Sequence, residues 1–300
     1  MLSFLPPPVL GAVVVVLMVL NTVAWGIPLY AGILIKVLVP AESFRRRWTG
    51  WLLDLTAGWT RCNGLIYRLA PPIRFEMSGF EGLRQDGSYL VVANHQSWSD
   101  IVLMQHLFTG RIPYLRFFSK RELLKLPIIG GALWGLDFPL MHRHSTKAMT
   151  RNPALRTDDL EATRAACERY RGRPVSIVIF LEGTRCTADK HAAQKSPYRN
   201  LLRPRAGGLA FSIDSMGDQF DTLLDVTIVY PEGNSGFKDL VCGRLRHVVF
   251  DVRPRPIPPD LLGRDYLSDP RYRRQMQNWL TGIWEDKDQH IDQARDRFRN

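Results

Sequence analysis

Cysteine is scarce in this chain, and no two cysteines lie at the spacing of a metal or redox pair. The four cysteines, Cys62, Cys167, Cys186 and Cys242, are widely separated along the 300 residues. Scattered cysteines exclude the disulfide framework of a small secreted domain, and the missing C-x-x-C pair removes a common signature of zinc sites. The cysteine pattern therefore agrees with a cytoplasmic location.

Charge is absent from the first 35 residues, which contain no Asp, Glu, Lys or Arg. A membrane-spanning helix needs about 20 apolar residues. The apolar segment Val9 to Val39 is therefore long enough for one span, or for two shorter helices that break near Gly26 and Pro28. No basic residue precedes the segment and no convincing small-x-small cleavage site follows it, so we predict a retained membrane anchor over residues 1–40.

A cluster of positive charge follows this segment, with three consecutive arginines, Arg45 to Arg47. Because cytoplasmic flanks carry an excess of Lys and Arg, the remaining chain is predicted to lie in the cytoplasm, at a bacterial inner membrane. All of the net charge of +11 except the contribution of Lys36 belongs to this remaining part. For a membrane protein, such a charge favours membrane lipids and phosphorylated substrates as partners and argues against nucleic acid.

Residues 41–72 have the pattern of an amphipathic helical segment. Apolar residues recur at spacings of three and four between positions 44 and 70, and Pro71 and Pro72 end the pattern. This stripe either packs on the folded domain or lies at the level of the lipid headgroups, where tryptophans are favoured. Both alternatives keep this segment close to the bilayer.

Short apolar runs alternate with helical stretches from Ile73 onward, which predicts an α/β fold. We assign residues 73–255 to this domain and 256–300 to a helical tail packed on it. The segment 187–200 is polar and basic, which predicts a surface loop. The predicted strands are 89–93, 114–119, 137–141, 175–181, 224–230 and 246–252, and the predicted helices are 100–108, 121–135, 158–171 and 205–216.

A histidine and an aspartate lie five positions apart in the block Asn94 to Asp100, N-H-Q-S-W-S-D. The apolar run Tyr89 to Ala93 before it predicts a buried strand, so His95 is expected where that strand ends. Imidazole exchanges protons near neutrality, since its unperturbed pKa is about 6.5. Asp100 can cap the following helix and still reach the second ring nitrogen. The block predicts a general base with an orienting carboxylate.

A second cluster, Phe180 to Arg185, has the sequence F-L-E-G-T-R and follows another apolar run. A planar guanidinium beside a glycine and a hydroxyl favours an anion-binding pocket, because a phosphate needs fixed cations and closely approaching backbone donors. Arg185 is the main candidate to hold a phosphate, with Gly183 and Thr184 beside it. Glu182 is expected either to hold Arg185 by a salt bridge or to bond hydroxyl groups of the substrate.

Together these two clusters resemble the glycerolipid acyltransferase family, whose signature is an N-H-x-x-x-x-D block followed later by F-x-E-G-T-R. The resemblance covers about residues 75–252. It implies a mixed sheet flanked by helices, with an N-terminal membrane helix or helical hairpin. It also implies transfer of a fatty acyl group from acyl-CoA or acyl-carrier protein to the free hydroxyl of a lysophospholipid such as 1-acyl-glycerol-3-phosphate. No metal or other cofactor is expected.

Acyl transfer from a thioester to an alcohol needs one well-placed base, because the leaving thiolate, with a pKa of about 8.5, requires little help from an acid. His95 would be that base and Asp100 its orienting partner. The family also has a block between the two clusters that ends in an apolar-x-Arg pattern. By position in that block, Arg143 is carried over as a substrate-binding residue. Lys120 and Arg205 are weaker candidates for the same pocket.

Two other classes of function are considered, a membrane phospholipid hydrolase and a catalytically silent membrane scaffold. The hydrolase would need a G-x-S-x-G elbow or a metal cluster, and the sequence has no such elbow. The pair His142 and His144, with His191, lacks acidic or cysteine ligands at fitting spacings. A scaffold would be expected to have lost His95, Asp100 or Arg185.

Overall fold

Two long helices form the N-terminal part of the protein. The protein is described by a computed structural model that covers residues 2, 4–141, 161, 164–233 and 235–298. Helix α1 is Pro7–Leu38 and helix α2 is Glu42–Tyr67. Pro28 removes one backbone donor inside α1 but does not end the helix, so the structure selects one uninterrupted helix over two shorter ones.

Helices α1 and α2 pack along each other through small and polar residues. The side-chain nitrogen of Asn21 donates to the side-chain amide oxygen of Asn63 at 2.9 Å, and the Trp48 indole donates to the backbone carbonyl of Gly32 at 2.7 Å. A Cβ on Gly32 would lie 2.5 Å from Leu52 Cδ2, so only glycine allows this approach. Leu52 is fully buried. Leu52 of the apolar stripe therefore packs inside the protein, whereas Trp51 of the same stripe is 48% exposed, so both alternatives stay open.

A mixed six-stranded sheet lies at the centre of the fold, in the order β1-β8-β7-β2-β6-β3. Strands β7 and β8 are antiparallel, and the other neighbouring pairs are parallel. A short parallel pair, β4 and β5, lies beside it. The strands are β1 Arg74–Ser78, β2 Tyr89–Ala93, β3 Leu115–Phe117, β4 Ser119–Lys120, β5 Leu140–Met141, β6 Ser176–Phe180, β7 Thr222–Val229 and β8 His247–Arg255.

Helices flank this sheet, which confirms the predicted α/β class with a mixed sheet. The tail is one long helix, as its apolar spacing predicts. After α1 and α2, the helices are α3 Trp98–Phe108, α4 Ile129–Gly135, α5 Ala188–Gln194, α6 Gly207–Met216, α7 Phe237–Val241 and α8 Pro270–Asp296, with short 3-10 turns at Arg121–Lys125, Gly217–Gln219 and Pro259–Leu261.

Three predicted elements differ from the structure. The helix predicted over 121–135 is divided into a 3-10 turn and α4, because Pro127 lies between them and disfavours helical geometry at the residue before it. The predicted loop 187–200 contains α5, which Thr187 caps through its hydroxyl. The predicted strand 114–119 is interrupted at Phe118. Of the predicted helix 158–171, residues 161 and 164–168 are helical, and 158–160 lie outside the described residues.

The core has two layers, one on each face of the sheet. Along β2, Leu90 and Val92 pack with α6 and α8, whereas Val91 and Ala93 pack with α3 and α2. Alternation of this kind follows from the two-residue repeat of a strand. Because β2 and β6 are parallel neighbours, their carboxyl ends meet at one edge of the sheet, and the two conspicuous sequence clusters meet there as well.

Candidate active site

His95 and Asp100 form a hydrogen-bonded pair at the start of α3. The ring Nδ1 of His95 lies 2.8 Å from Asp100 Oδ2. The same carboxylate oxygen accepts the backbone N–H groups of Gln96 at 2.7 Å and Ser97 at 2.8 Å, so Asp100 also caps the helix. The Ser97 side chain in turn accepts from the Ser99 backbone. One carboxylate thus begins the helix and orients the imidazole.

The other oxygen of Asp100 is bonded from across the sheet. The Tyr230 hydroxyl, directly after β7, donates to Asp100 Oδ1 at 2.5 Å. Asp100 is fully buried and Tyr230 is 2% exposed, and burial beside that carboxylate raises the pKa of Tyr230 well above its usual value. Tyr230 is therefore a neutral donor at every physiological pH.

Asn94 fastens β2 to β7 at this edge. Its amide nitrogen donates to the Ile228 carbonyl at 2.8 Å, and its amide oxygen accepts the Ile228 N–H at 2.9 Å. The side chain thereby replaces one step of the backbone ladder where β2 ends. These two hydrogen bonds fix the position of β7 two residues before Tyr230.

Glu182 holds the backbone of the site from inside. One of its carboxylate oxygens accepts the His95 N–H at 2.7 Å and the other accepts the Leu202 N–H at 2.9 Å. The side chain is fully buried, and this burial raises the pKa of Glu182 to about 7. The predicted salt bridge to Arg185 is therefore wrong, because both oxygens are turned to the backbone, whereas the predicted bond to substrate hydroxyls stays a prediction.

The face of the His95 ring stacks on Phe180. The ring centroids are 4.0 Å apart and the planes differ by 15°. Phe180 stacks in turn on Phe117 at 5.8 Å. His95 retains 12% side-chain exposure. The imidazole is thus held by an apolar stack and by one hydrogen bond, and it still reaches the surface.

Gly183, Thr184 and Arg185 form the turn after β6, beside the histidine. Gly183 has a φ of +69°, a conformation that favours glycine. The Thr184 hydroxyl accepts from Lys190 Nζ at 2.7 Å. The exposed Arg185 guanidinium lies 5.5 Å from the centre of the Trp98 ring. The turn therefore presents cations next to the base.

Arg205 joins this cluster from the start of the segment before α6. Its backbone N–H donates to the Leu181 carbonyl at 2.8 Å, and a Cβ on Gly183 would lie 3.5 Å from its Cδ. Lys120 lies on β4, directly after β3, at the same edge of the sheet. Arg143, with His142 and His144, lies outside the described residues.

Three functional neighbours were missed by sequence reasoning. Tyr230 ends the strand predicted over 224–230, and a tyrosine directly before Pro231 was the available signal. The strand predicted over 175–181 includes Phe180 without a role at the site, although this residue opens the F-L-E-G-T-R cluster. Lys190 was assigned to a loop, and only the helix α5 brings its ammonium back to Thr184.

A largely apolar cavity of about 340 Å³ opens between the helix pair and the domain. Phe117 lines this cavity and belongs to the stack that ends at His95. Its volume lies within the range of small-molecule pockets, roughly 300 to 1,000 Å³. Representative lining residues are Trp25 and Leu29 of α1, Trp59 of α2, Ile101 of α3, and Leu133 of α4.

Within the described ranges, no three His, Cys, Asp or Glu residues group as ligands for a metal ion. The side chains of the site supply a ring nitrogen, Nε2 of His95, that can take a proton, a carboxylate that can stabilise the resulting cation, and a cationic turn. Such a set suits deprotonation of a hydroxyl beside an anionic group.

Comparison with known proteins relates this chain to acyltransferases. A family model described as "Acyltransferase" matches residues 74–234, more than half of the chain. A 2-acyl-1-lysophosphatidylinositol acyltransferase of Saccharomyces cerevisiae is 25% identical over 239 residues, which cover 66% of this chain and 59% of the yeast protein. The 1-acyl-sn-glycerol-3-phosphate acyltransferase epsilon of Mus musculus is 29% identical over 160 residues, 48% of this chain and 40% of the mouse protein.

A solved structure has the same fold over nearly the whole chain. The crystal structure of the 1-acyl-sn-glycerophosphate (LPA) acyltransferase PlsC from Thermotoga maritima matches with a TM-score of 0.52 and 17% identity, over 94% of this chain and 98% of that one. At this identity the likeness shows the architecture alone. The chain spans about half the length of the curated yeast and mouse relatives.

Proposed function

The chain belongs to the glycerolipid acyltransferase family, and from this premise we propose that it transfers a fatty acyl group from a thioester donor, acyl-CoA or acyl-carrier protein, to the free hydroxyl of a lysophospholipid such as 1-acyl-glycerol-3-phosphate. The named activities of the yeast and mouse relatives support an acceptor of this class. The product would be a diacyl phospholipid and a free thiol.

In the proposed reaction the acceptor hydroxyl attacks the thioester carbonyl carbon while His95 Nε2 takes the hydroxyl proton. The new carbon–oxygen bond gives a tetrahedral intermediate, which collapses by breaking the carbon–sulfur bond. The thiolate leaves and takes up the proton that His95 had received. General base catalysis of this kind contributes about 10² to 10⁴ in rate.

One observation carries this assignment: the His95 ring is bonded on one side and left available on the other. Nδ1 is engaged by Asp100 at 2.8 Å, which leaves the lone pair on Nε2. In the described part of the chain no hydrogen bond involves Nε2, and the ring remains 12% exposed. A carboxylate on Nδ1 supports the imidazolium that forms during the reaction.

The acceptor phosphate would bind at the cationic turn beside this base. Arg185 and Arg205 are both exposed, the Arg205 side chain lies beside Gly183, and Lys190 donates to the Thr184 hydroxyl. Two guanidinium groups and an ammonium supply the charge that a phosphate monoester requires. A phosphate bound there would lie near the proposed base, as the reaction needs.

A fatty acyl chain would occupy the cavity of about 340 Å³. Its walls are apolar, and it adjoins the Phe117 and Phe180 stack under His95. Burial of methylene groups in such a cavity contributes about 0.8 kcal/mol for each group. The same cavity is walled on one side by α1 and α2, so a chain could enter it directly from lipid.

The membrane would contact the outer face of α1. This helix is long and apolar enough to cross a membrane, with 17% of its most apolar window buried. Both of its ends touch the domain: Leu10 packs with Val241, and Lys36 pairs with Asp137 at 2.7 Å. We infer that α1 lies against the domain with its exposed face in lipid. The bacterial inner membrane and the cytoplasmic placement stay predictions.

Purified full-length protein should be incubated with a panel of lysophospholipids and labelled acyl-CoA, and then with labelled acyl-carrier protein. The proposed function predicts a labelled diacyl product for at least one lysophospholipid. Release of labelled free fatty acid from a diacyl phospholipid would instead support the hydrolase, and absence of any labelled product would support the scaffold.

Topology can be tested with a cysteine placed on α5, at the exposed Ala193. We expect Ala193→Cys to react with an impermeant thiol reagent only after the cells are permeabilised, beyond the background of the four native cysteines. Labelling of intact cells would overturn the cytoplasmic placement.

A further inference from the structure

We propose that Tyr230 is a positioning residue that tunes the His95 and Asp100 pair, so that the reaction depends on a three-residue chain and not on two. The inference rests on the proposed function, because it assigns Tyr230 a role through the base. Tyr230 lies directly after strand β7, and neither of the two sequence clusters belongs to that strand.

The Tyr230 hydroxyl is the one hydrogen-bond donor to Asp100 Oδ1 in the described part of the chain. The other oxygen, Oδ2, already accepts from the His95 ring, Gln96 N and Ser97 N. A fully buried carboxylate oxygen without a partner costs free energy. Tyr230 therefore completes the bonding of a carboxylate that lies inside the protein.

The position of Tyr230 is fixed by contacts that do not involve its own hydroxyl. Asn94 binds both backbone groups of Ile228, and Gln96 Nε2 adds a bond of 3.2 Å to the same Ile228 carbonyl. Residues of the N-H-Q-S block thus hold β7 at the distance at which the phenol reaches Asp100. The block positions its own base and also the residue that bonds its acid.

The chemical consequence is a change in how strongly Asp100 stabilises the imidazolium. A hydrogen bond donated to Oδ1 withdraws negative charge from the carboxylate, so Oδ2 attracts the His95 proton less strongly. It also prevents the carboxylate from rotating, which keeps the imidazole aligned. Among the described residues, the ionisable groups around the pair include Glu182 and the exposed Arg185 after β6, Lys190 on α5, Arg205 before α6, and Tyr230 after β7.

Tyr230→Phe removes the hydroxyl and keeps the ring. We expect kcat to fall about tenfold, because the carboxylate is free to rotate and the imidazole loses its alignment, with the KM of both substrates within about twofold. The acid limb of the pH profile of kcat/KM should move to higher pH by about 0.5 to 1 unit, because the less neutralised carboxylate holds the imidazolium more firmly.

The matched control is Tyr272→Phe. Tyr272 is also fully buried and its hydroxyl donates to a carboxylate, Asp214, at 2.8 Å, but it lies on α8 away from the site. This variant should lose stability in the same way, with kcat and the pH profile unchanged. If both variants lose stability alike and neither profile moves, Tyr230 is only structural and the proposal is wrong.

A second variant decides the question should Tyr230→Phe not fold. Difluorotyrosine at position 230 keeps the volume of the phenol and makes it a stronger donor, so the acid limb should move to lower pH. An unmoved limb would overturn the proposal. His95→Ala, measured in parallel, separates the two levels: an active His95→Ala variant refutes the base itself, whereas an inactive one with an unresponsive Tyr230 refutes only the tuning.

Discussion

Strand β7 carries two buried polar clusters that differ in one respect. In its middle, Asp225 pairs with Lys287 of α8 at 2.6 Å and with Arg255 of β8 at 3.0 Å. The fully buried Lys287 also donates to the Val226 carbonyl and to the Thr227 hydroxyl. At the end of the same strand, the Tyr230 phenol bonds Asp100, which bonds the His95 ring.

The difference lies in what is left unbonded. In the cluster around Lys287 the fully buried ammonium donates to the Val226 carbonyl and the Thr227 hydroxyl and forms an ion pair with Asp225, so it joins α8 to the sheet. In the cluster around Asp100 the chain of hydrogen bonds ends on an imidazole with Nε2 available and the ring partly exposed. Two clusters on one strand thus differ in role under the proposed function, one structural and one catalytic, and each can be altered independently.

The largest effect should follow from His95→Ala, which removes the reactive end of the second cluster. Activity should fall by about 10² to 10⁴, because the proton of the acceptor hydroxyl loses its base. Thermal unfolding and vesicle binding should stay near those of the parent protein, since the ring contributes chemistry more than packing. The measurement is initial rate with labelled acyl donor at saturating lysophospholipid.

His290→Ala is the matched control, because His290 forms a second histidine–aspartate pair. Its ring Nε2 lies 3.2 Å from Asp251, and its side chain is 13% exposed, against 12% for His95. This variant should keep most of the activity. A folded His95→Ala protein that retained more than a tenth of the parent rate would contradict the general-base role.

Sequence reasoning predicted that Asp100 bonds the His95 ring, which the structure confirms, because the two residues lie within one short block. Local spacing is enough to show that Asp100 can cap a helix and reach His95. The Lys287 cluster was not predicted, because it joins residues about 60 positions apart and a lysine on a helix is most often solvated. Glu182 was misassigned for the same reason: its partner Leu202 N lies twenty residues along the chain.

Lys287→Met should cost a free energy similar to that of His95→Ala, but the loss should appear in the stability of the fold and not in the rate of the reaction. Removing one partner of a buried ion pair costs about 3–5 kcal/mol, because the remaining charge is left without its counterion. Here Arg255 stays bonded to Asp225, so the lower end of that range is expected. The free energy of unfolding should be measured with denaturant in a constant detergent, together with activity.

The activity of each folded Lys287→Met molecule should equal that of the parent protein. Asp286→Asn, at a half-exposed carboxylate that also bonds Arg255, is the control, and it should cost less than about 1 kcal/mol. A stable Lys287→Met protein with a tenfold lower kcat would show that the two clusters on β7 are functionally coupled, which contradicts their separation.

Arg185→Lys should have an intermediate effect, confined to the cationic turn. Lysine keeps the charge but loses the planar fork that binds a phosphate with two parallel bonds. We expect the KM for the lysophospholipid to rise about tenfold with a smaller change in kcat, and little change for the acyl donor. If the phosphate also positions the hydroxyl against His95, kcat should fall too, since a misplacement of about 1 Å can cost on the order of 10²-fold.

Arg199→Lys provides the control for this turn, because Arg199 is exposed in the same segment and pairs with Asp292 at 3.5 Å. It should leave both KM values unchanged. An Arg185→Lys variant with a raised KM for the acyl donor alone would show that the turn binds the donor. Arg143, which the structure does not describe, would then be the better candidate for the acceptor.

The smallest expected effect is a change in how stability depends on pH, caused by Glu182. An unfolded glutamate loses its proton at about pH 4.3, whereas burial raises the pKa of Glu182 to about 7 in the folded protein. Between these values unfolding releases a proton, so the contribution of this group to stability is fully present below about pH 4, falls as the pH rises through about 7, and is constant above.

Glu182→Gln removes that dependence. The difference in unfolding temperature between parent and variant should therefore shrink from pH 5 to pH 7 and stay level from pH 7.5 to pH 8.5, while Glu168→Gln, at an exposed carboxylate, should give a constant difference throughout. A constant difference for Glu182→Gln as well would mean that its two backbone hydrogen bonds keep the carboxylate ionised in the folded protein, which contradicts a raised pKa.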